Sequence, residues 1–333
     1  MTQEIRLDKS FYNVPGKSFT QVLAELDPDT GYTDTPLAGM DAFERQLKRF
    51  DIRVSGKHSD LVEKFFQNTE SAALFPEYVS RAVKQGMEER SVLSEIVAAS
   101  TLVNGMDYRS ISTVAAGEEF APAVVGEGTV IPTTEIKLNE NLVSLKKRGR
   151  ILSVSYEAIR FQRLDLFAVA LRQIGAAIAN AQVKDAVTFL VTGGGVQPAA
   201  EEIETEGAEL TYGDLVRFWS AFDGMELTTL LASPATMAKI LQFAELKEEH
   251  SEFLTTGKLK LPFGAALVKT SALADDTIIG LDKSCALEQV TAAEVSLEAD
   301  RLIDRQMERA AITSITGFSK IFADAAKVLK IGG

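Results

Sequence analysis

Between Leu164 and about Val191 large apolar residues recur at 3-4-3-4 spacing (Leu164, Phe167, Leu171, Ile174, Ile178), a single stripe along one helical face. Nothing else in the sequence constrains the fold so strongly. A helix of that length spans roughly 40 Å at about 1.5 Å per residue, and Gly193-Gly194-Gly195 is placed to end it. Gly175, Ala176, Ala177, Ala179 and Ala181 leave room for another element to approach closely. The chain is therefore expected to be organised along a rod, a spine for an elongated domain.

Upstream, residues 72–92 read as a second helix, introduced by Leu74-Phe75-Pro76 and burying Val79, Ala82, Val83 and Met87. Residues 1 to about 70 differ. They carry Pro15, Pro28 and Pro36, a turn at Asp27-Pro28-Asp29-Thr30-Gly31, and two short amphipathic pieces, 41–50 (Phe43, Leu47 and Phe50 on one face) and 60–66. Stripes so short do not stand alone as helices, so this segment reads as an arm that finds its partners on another surface.

From Tyr108 to Ser155 the period changes to two. Ile111 and Thr113 alternate with Ser110 and Ser112, and Ile136 and Leu138 with Glu135 and Lys137; a stretch punctuated by glycine and proline lies between (117–132), and Ile151–Ser155 closes the run. This is a long antiparallel hairpin. A two-stranded ribbon is marginal by itself and its edges invite pairing, so it is expected to lie on a neighbouring subunit. Past the spine come a solvated acidic loop (Glu201, Glu202, Glu204, Glu206) and a compact α/β region. Its helix at 211–222 turns Leu215, Phe218, Trp219 and Phe222 inward, and Leu227–Ala232 is a buried strand. Ser233-Pro234 starts a further helix, and strands follow at 265–268, 277–281, 286–290, 307–315 and up to about Val328. Together these elements make a chain of the α+β class.

The 47 acidic residues outnumber 35 basic ones, for a formal charge of -12. The largest basic cluster is Lys146-Lys147-Arg148 with Arg150, which excludes a phosphate-gripping face. The single cysteine, Cys285, can form no intrachain disulfide and reads as a small hydrophobe in a strand. No uninterrupted apolar run approaches the length of a membrane span, and MTQEIRLDKS has no apolar signal core.

Catalytic signatures fail one by one. Gly16-Lys17-Ser18 would need glycine where Phe11 stands to be a phosphate loop. The triple glycine follows a helix instead of preceding one, and Gly126 and Gly128 lead into a strand. His58 and His250 lie in polar surroundings and form no ligand set, and no nucleophile elbow occurs. No catalytic residue, cofactor or metal is expected; the chain reads as a structural protein, not an enzyme.

Several phrases resemble the tailed-bacteriophage major capsid proteins with the Hong Kong 97-type fold. Leu74-Phe75-Pro76-Glu77-Tyr78 resembles the start of the mature shell domain. Ala123–Pro132 is similar to the family's E-loop phrase, with Val124 where tryptophan is often found. Lys147–Glu157 resembles the E-loop exit, and Leu230–Thr236 the A-domain strand-to-helix turn. The likeness covers about residues 72–333.

The resemblance implies an N-terminal arm (1–72), a first part of the P-domain (73–107), the E-loop hairpin (108–155) and the spine helix (156–195). An A-domain (196–305, with returning P-domain strands near 265–290) and closing strands (306–333) follow. It implies a shell subunit of an icosahedral phage or prophage head, assembled in the bacterial cytoplasm from hexamers and pentamers. The partners would be other copies, a portal and a scaffold protein, with double-stranded DNA held by proximity alone and no membrane involved. The alternative is an encapsulin-like nanocompartment shell housing an enzyme cargo. Phe43, Leu47 and Phe50 on the arm, and Phe120, Pro122, Val124, Val125, Ile131 and Ile136 on the hairpin, are the expected inter-subunit contacts. Some family members weld subunits by a lysine–asparagine isopeptide bond; no asparagine follows Asn180, so a shell without covalent links is expected. Many relatives also begin with a cleaved scaffolding domain, whereas this shorter arm is expected to be retained.

Overall fold

The computed structural model describes residues 5–14, 16–112, 124–129, 131, 137–249, 259–261 and 263–332. In chain order the elements are α1 (Phe19–Leu26), α2 (Ala42–Arg49), α3 (Thr69–Ala72), α4 (Phe75–Arg90), β1 (Ala99–Leu102), β2 (Ile111–Ser112), β3 (Lys137–Leu138) and β4 (Lys146–Ser155). There follow α5 (Tyr156–Phe161), α6 (Leu164–Thr192), β5 (Glu201–Glu204), α7 (Tyr212–Ser220), β6 (Thr229–Ala232) and α8 (Pro234–Ile240). The chain closes with β7 (Leu259–Lys260), β8 (Ala266–Lys269), β9 (Thr277–Leu281), β10 (Leu287–Leu302), β11 (Met307–Lys320) and β12 (Ala326–Lys330). They divide into two compact units. Unit 1 comprises Met1–Arg90, Arg148–Ala179 and Val295–Ser314; unit 2 comprises Ser91–Lys147, Asn180–Glu294 and Ile315–Gly333.

The first unit corrects the arm expected from sequence. Helices α1 and α2 each begin with a reciprocal capping box, Ser18 with Gln21 and Asp41 with Glu44, which satisfies the N–H groups of the cap and of the third helical residue. Their apolar faces are covered within the chain: Phe19, Leu23, Phe43 and Leu47 join Phe65, Leu74, Val79 and Val83 in one buried cluster with Leu164, Phe167 and Leu171 of α6. Short amphipathic stripes do need another surface to become helices; here α4 and α6 provide it. Arg45 organises this region. Its side chain is 3% exposed, donates to Asp27 and Asp29 at 2.8 Å each and to the carbonyls of Met40 and Asp27, and lies over the Tyr32 ring.

Helices α4 and α6 approach backbone to backbone. A Cβ on Gly175 would stand 2.0 Å from the Val83 carbonyl oxygen, and one on Gly86 would stand 2.1 Å from the Arg172 carbonyl oxygen. Only glycine on both sides permits that spacing. The sequence expectation for α6 holds to within a residue at its end, where Gly193, Gly194 and Gly195 all take positive φ. Charged residues interrupt α6, in keeping with the apolar-run count, yet by length and average composition it could cross a membrane, an 18-residue stretch of it having a mean hydropathy of 1.3. Half of that span is buried inside the protein, which accounts for its composition. The helix contributes its first part to unit 1 and its second to unit 2.

The second unit holds a six-stranded sheet of order β5-β12-β9-β6-β8-β7. Strand β6, fully buried, pairs parallel to β8 and antiparallel to β9, and β12 sits between β9 and β5. Thr211 with Asp214 and Ser233 with Pro234 start α7 and α8 as the sequence predicts. Two readings are overturned. The acidic segment is not a loop: Glu201–Glu204 is an edge strand parallel to β12, where Lys327 pairs with Glu201 and Ile203 packs inward. Of the strands near 265–290, β8 and β9 belong to this sheet, whereas β10 pairs in parallel with β1 from Glu288 to Thr291. Cys285 lies in the turn before β10, its thiol pushed up by burial and then by the Asp282 carboxylate.

Lys320, at the end of β11, is 2% exposed and donates to the Pro198 carbonyl at 2.8 Å, while the Gln197 amide brackets its backbone. Burial without a counter-charge pulls its ammonium down to about 8 from 10.5. A lysine whose pKa falls on folding penalises the folded state wherever it is charged. That penalty is whole below about pH 8 and fades as pH rises towards 10.5. Lys320→Met is therefore expected to stabilise the chain by about 2 kcal/mol at pH 7, after allowing for the lost hydrogen bond. Urea unfolding at pH 7 and pH 10 checks it, with most of the gain gone at the higher pH.

Candidate assembly surfaces

The hairpin expected over 108–155 is present at its root. Ile111 pairs with Leu138 and Ser112 with Lys137, antiparallel. Below them the Asn139 amide donates to the Ser110 carbonyl at 2.7 Å and the Val143 amide to that of Tyr108 at 2.8 Å. The described ladder is two residues long on each side; 113–123, 130 and 132–136 lie outside the described residues, and with them Phe120, Pro122 and Ile136.

At the root Ser110 and Tyr108 turn inward: Ser110 is fully buried, and its hydroxyl, with those of Thr101 (2.5 Å) and Tyr108 (2.7 Å), donates to the buried carboxylate of Glu288 on β10. Burial, and next its bond to Glu288, pushes the Tyr108 hydroxyl above its ordinary pKa. The apolar residues point outward, Ile111 41% and Leu138 67% exposed, although they face each other across the ladder. Leu102, Met106 and Leu142 flank them, also exposed, and Val124, Val125 and Ile131 of the tip are exposed as well.

A second set of uncovered apolar side chains belongs to unit 1: Ile151 on β4, Phe161 at the end of α5, and Leu166 and Val169 one turn apart on α6. The stripe that buries Leu164, Phe167 and Leu171 leaves these on the opposite face. Sequence reading attended to the buried stripe and passed over its complement, though two large apolar residues on the outer face were legible. Glu288 was likewise missed, because a glutamate in a strand carries no local sign of where it points.

Of the nine expected contacts, three lie on exposed surface: Val124, Val125 and Ile131. Phe43 and Leu47 are 3% and 6% exposed and Phe50 packs against the same cluster, so the arm's contacts are made inside the chain's own core and are withdrawn as inter-subunit contacts. Trp219, expected to point inward, is 44% exposed and stacks on Phe263 at 6.1 Å beside a cleft of about 650 Å³. Among the described residues no group of three or more histidine, cysteine or carboxylate side chains is placed to hold a metal ion, and His58 is exposed.

The arrangement offers apolar area for association. Solved structures share its fold. The virus-like particle of Pyrococcus furiosus is 14% identical, aligned over 77% of this chain and 99% of that one, with a TM-score of 0.52. The capsid of a native GTA particle is 12% identical over 72% and 90%, with a TM-score of 0.55. Microbacterium phage Oxtober96 is 10% identical over the same shares, with a TM-score of 0.52. The fold is thus the Hong Kong 97-type fold. Curated protein sequences yield no match. Residues 139–323, over half of the chain, match the family described as phage capsid protein, from the return limb of the hairpin through β11. The chain belongs to the phage capsid protein family and is a structural shell subunit.

Proposed function

We propose that copies of this chain close into the icosahedral head of a tailed phage or prophage, as hexamers and pentamers around double-stranded DNA, assembling in the bacterial cytoplasm with a scaffold protein and a portal. The observation that carries this is the outward-facing pair Ile111 and Leu138 on a hairpin whose root turns Ser110 and Tyr108 inward onto Glu288. A hairpin covering its own core would have the opposite arrangement. The apolar face of one copy's hairpin, with Val124, Val125 and Ile131, lies on the uncovered residues Ile151, Phe161, Leu166 and Val169 of a neighbour. Obligate interfaces of this kind bury on the order of 2,000 Å² or more, and closed symmetry multiplies modest contacts into a tough shell. With a net charge of -12 and no large basic cluster, the shell holds DNA by confinement and not by gripping phosphates.

Deleting residues 117–132 tests this reading. The shortened chain should unfold at the same urea concentration as the parent yet form no closed particles in negative-stain electron microscopy. Closed particles from the deleted chain would refute the hairpin's role. An encapsulin-like shell is the second reading, favoured by the match that spans 99% of the Pyrococcus furiosus particle subunit. Particles copurifying with an enzyme cargo and empty of DNA would establish it.

A further inference from the structure

We propose that Glu288 is the positioning residue that sets the direction in which the hairpin leaves the body of unit 2. Glu288 is 6% exposed, and among the described residues the side chains that donate to its carboxylate are the neutral hydroxyls of Thr101, Tyr108 and Ser110, so its burial is satisfied while all three aim at it. Thr101 is tied to the same strand by backbone pairing, since β1 runs parallel to β10 with Ala99 opposite Glu288. Tyr108 and Ser110 are different. Among the described residues no ladder bond to β10 holds them, and they begin the outgoing limb.

These two residues each act twice. Their hydroxyls donate to Glu288, and their backbone carbonyls accept the amides of Val143 and Asn139 on the return limb. One buried carboxylate thus orients both limbs, the outgoing one directly and the return one through it. A limb that swings away strips donors from a buried carboxylate, which costs free energy. The apolar face of Ile111 and Leu138 is consequently presented in one direction. A surface that must meet the same patch on every neighbour needs that constancy.

The effect on assembly rests on the hairpin reading above; the effect on the hairpin's root does not. Hydrogen exchange on the full-length chain separates the two. In Glu288→Ala the amides of Asn139 and Val143 should exchange at least about tenfold faster while those of Leu231 and Ile279 in the unit 2 sheet stay at parent rates, as expected of local opening. Closed particles should give way to open or irregular sheets. Glu288→Gln keeps an acceptor of the same shape, and hydroxyls can rotate to accept from its NH₂, so it should restore both near-parent exchange and closed shells.

Parent-like exchange at Asn139 and Val143 in Glu288→Ala overturns the proposal whatever the particles look like. Faster exchange with normally closed particles also overturns it, provided that deleting 117–132 abolishes closure. If that deletion closes too, the hairpin reading has failed, and the anchoring of the root stands on the exchange data alone. Should Glu288→Ala lose protection throughout unit 2, Tyr108→Phe decides. It removes one hydroxyl of three and should speed Asn139 and Val143 by roughly threefold; no change there counts against the proposal.

Discussion

Alanine at position 175 will destabilise the chain by about 3 kcal/mol or more, although glycine-to-alanine in a helix normally gains up to about 1 kcal/mol. The reversal of sign is the informative part. A methyl group there would lie 2.0 Å from the Val83 carbonyl oxygen and 2.9 Å from the Met87 amide, and both obstacles are backbone atoms of α4 that no side-chain rotation can remove. The helices must separate, and with them the cluster of Val79, Val83, Phe167 and Leu171. Gly86→Ala should behave alike because it meets Arg172 in the same crossing. Gly213, in the first turn of α7, is the control: its nearest neighbour would be the Thr211 hydroxyl at 3.6 Å, an ordinary contact, so Gly213→Ala should be neutral or stabilising by up to about 1 kcal/mol. Urea unfolding of the three variants checks the contrast; equal midpoints would show that the crossing is looser than drawn.

Arg45→Met will cost about 3–5 kcal/mol, the usual penalty for removing one partner of a buried ion pair. The loss comes less from the missing arginine than from what it leaves behind, an Asp27 carboxylate 5% exposed whose remaining side-chain partner is the Tyr32 hydroxyl. Adding Asp27→Asn to Arg45→Met should therefore recover part of the loss, a non-additivity that a double-mutant cycle measures. Additive effects would mean that the guanidinium acts mainly through packing on Tyr32. Limited proteolysis of Arg45→Met should open the chain first between Asp27 and Met40, whose carbonyls lose their donor.

This N-terminal region marks where sequence reading reached its limit. The amphipathic piece bearing Phe43 and Leu47 was legible, as was its need for a covering surface; which surface was not. The spine helix, the capped starts of α7 and α8 and the buried strands β6 and β9 were read nearly to the residue, because their signals are local: apolar period, a capping side chain, a proline at the first turn. Strands β10 and β11 run well past the expected 286–290 and 307–315, to Leu302 and Lys320. Their polar stretches are extended by pairing, not by propensity. The glutamates of β5 are the same case, a poor strand sequence held by Lys327 and the ladder of β12.

By itself the sequence determined the spine, the root of the hairpin, the net acidity and the likeness to phage capsids, since each is written in neighbouring residues or in their order. Only the tertiary structure decided that Phe19, Leu23, Phe43 and Leu47 pack into the chain's own core, that Glu288 gathers three hydroxyls at the hairpin root, and that Ile111 and Leu138 face outward. Those facts depend on which distant segment comes to lie against which, and a side chain's direction relative to a partner far away in sequence leaves no mark on its neighbours.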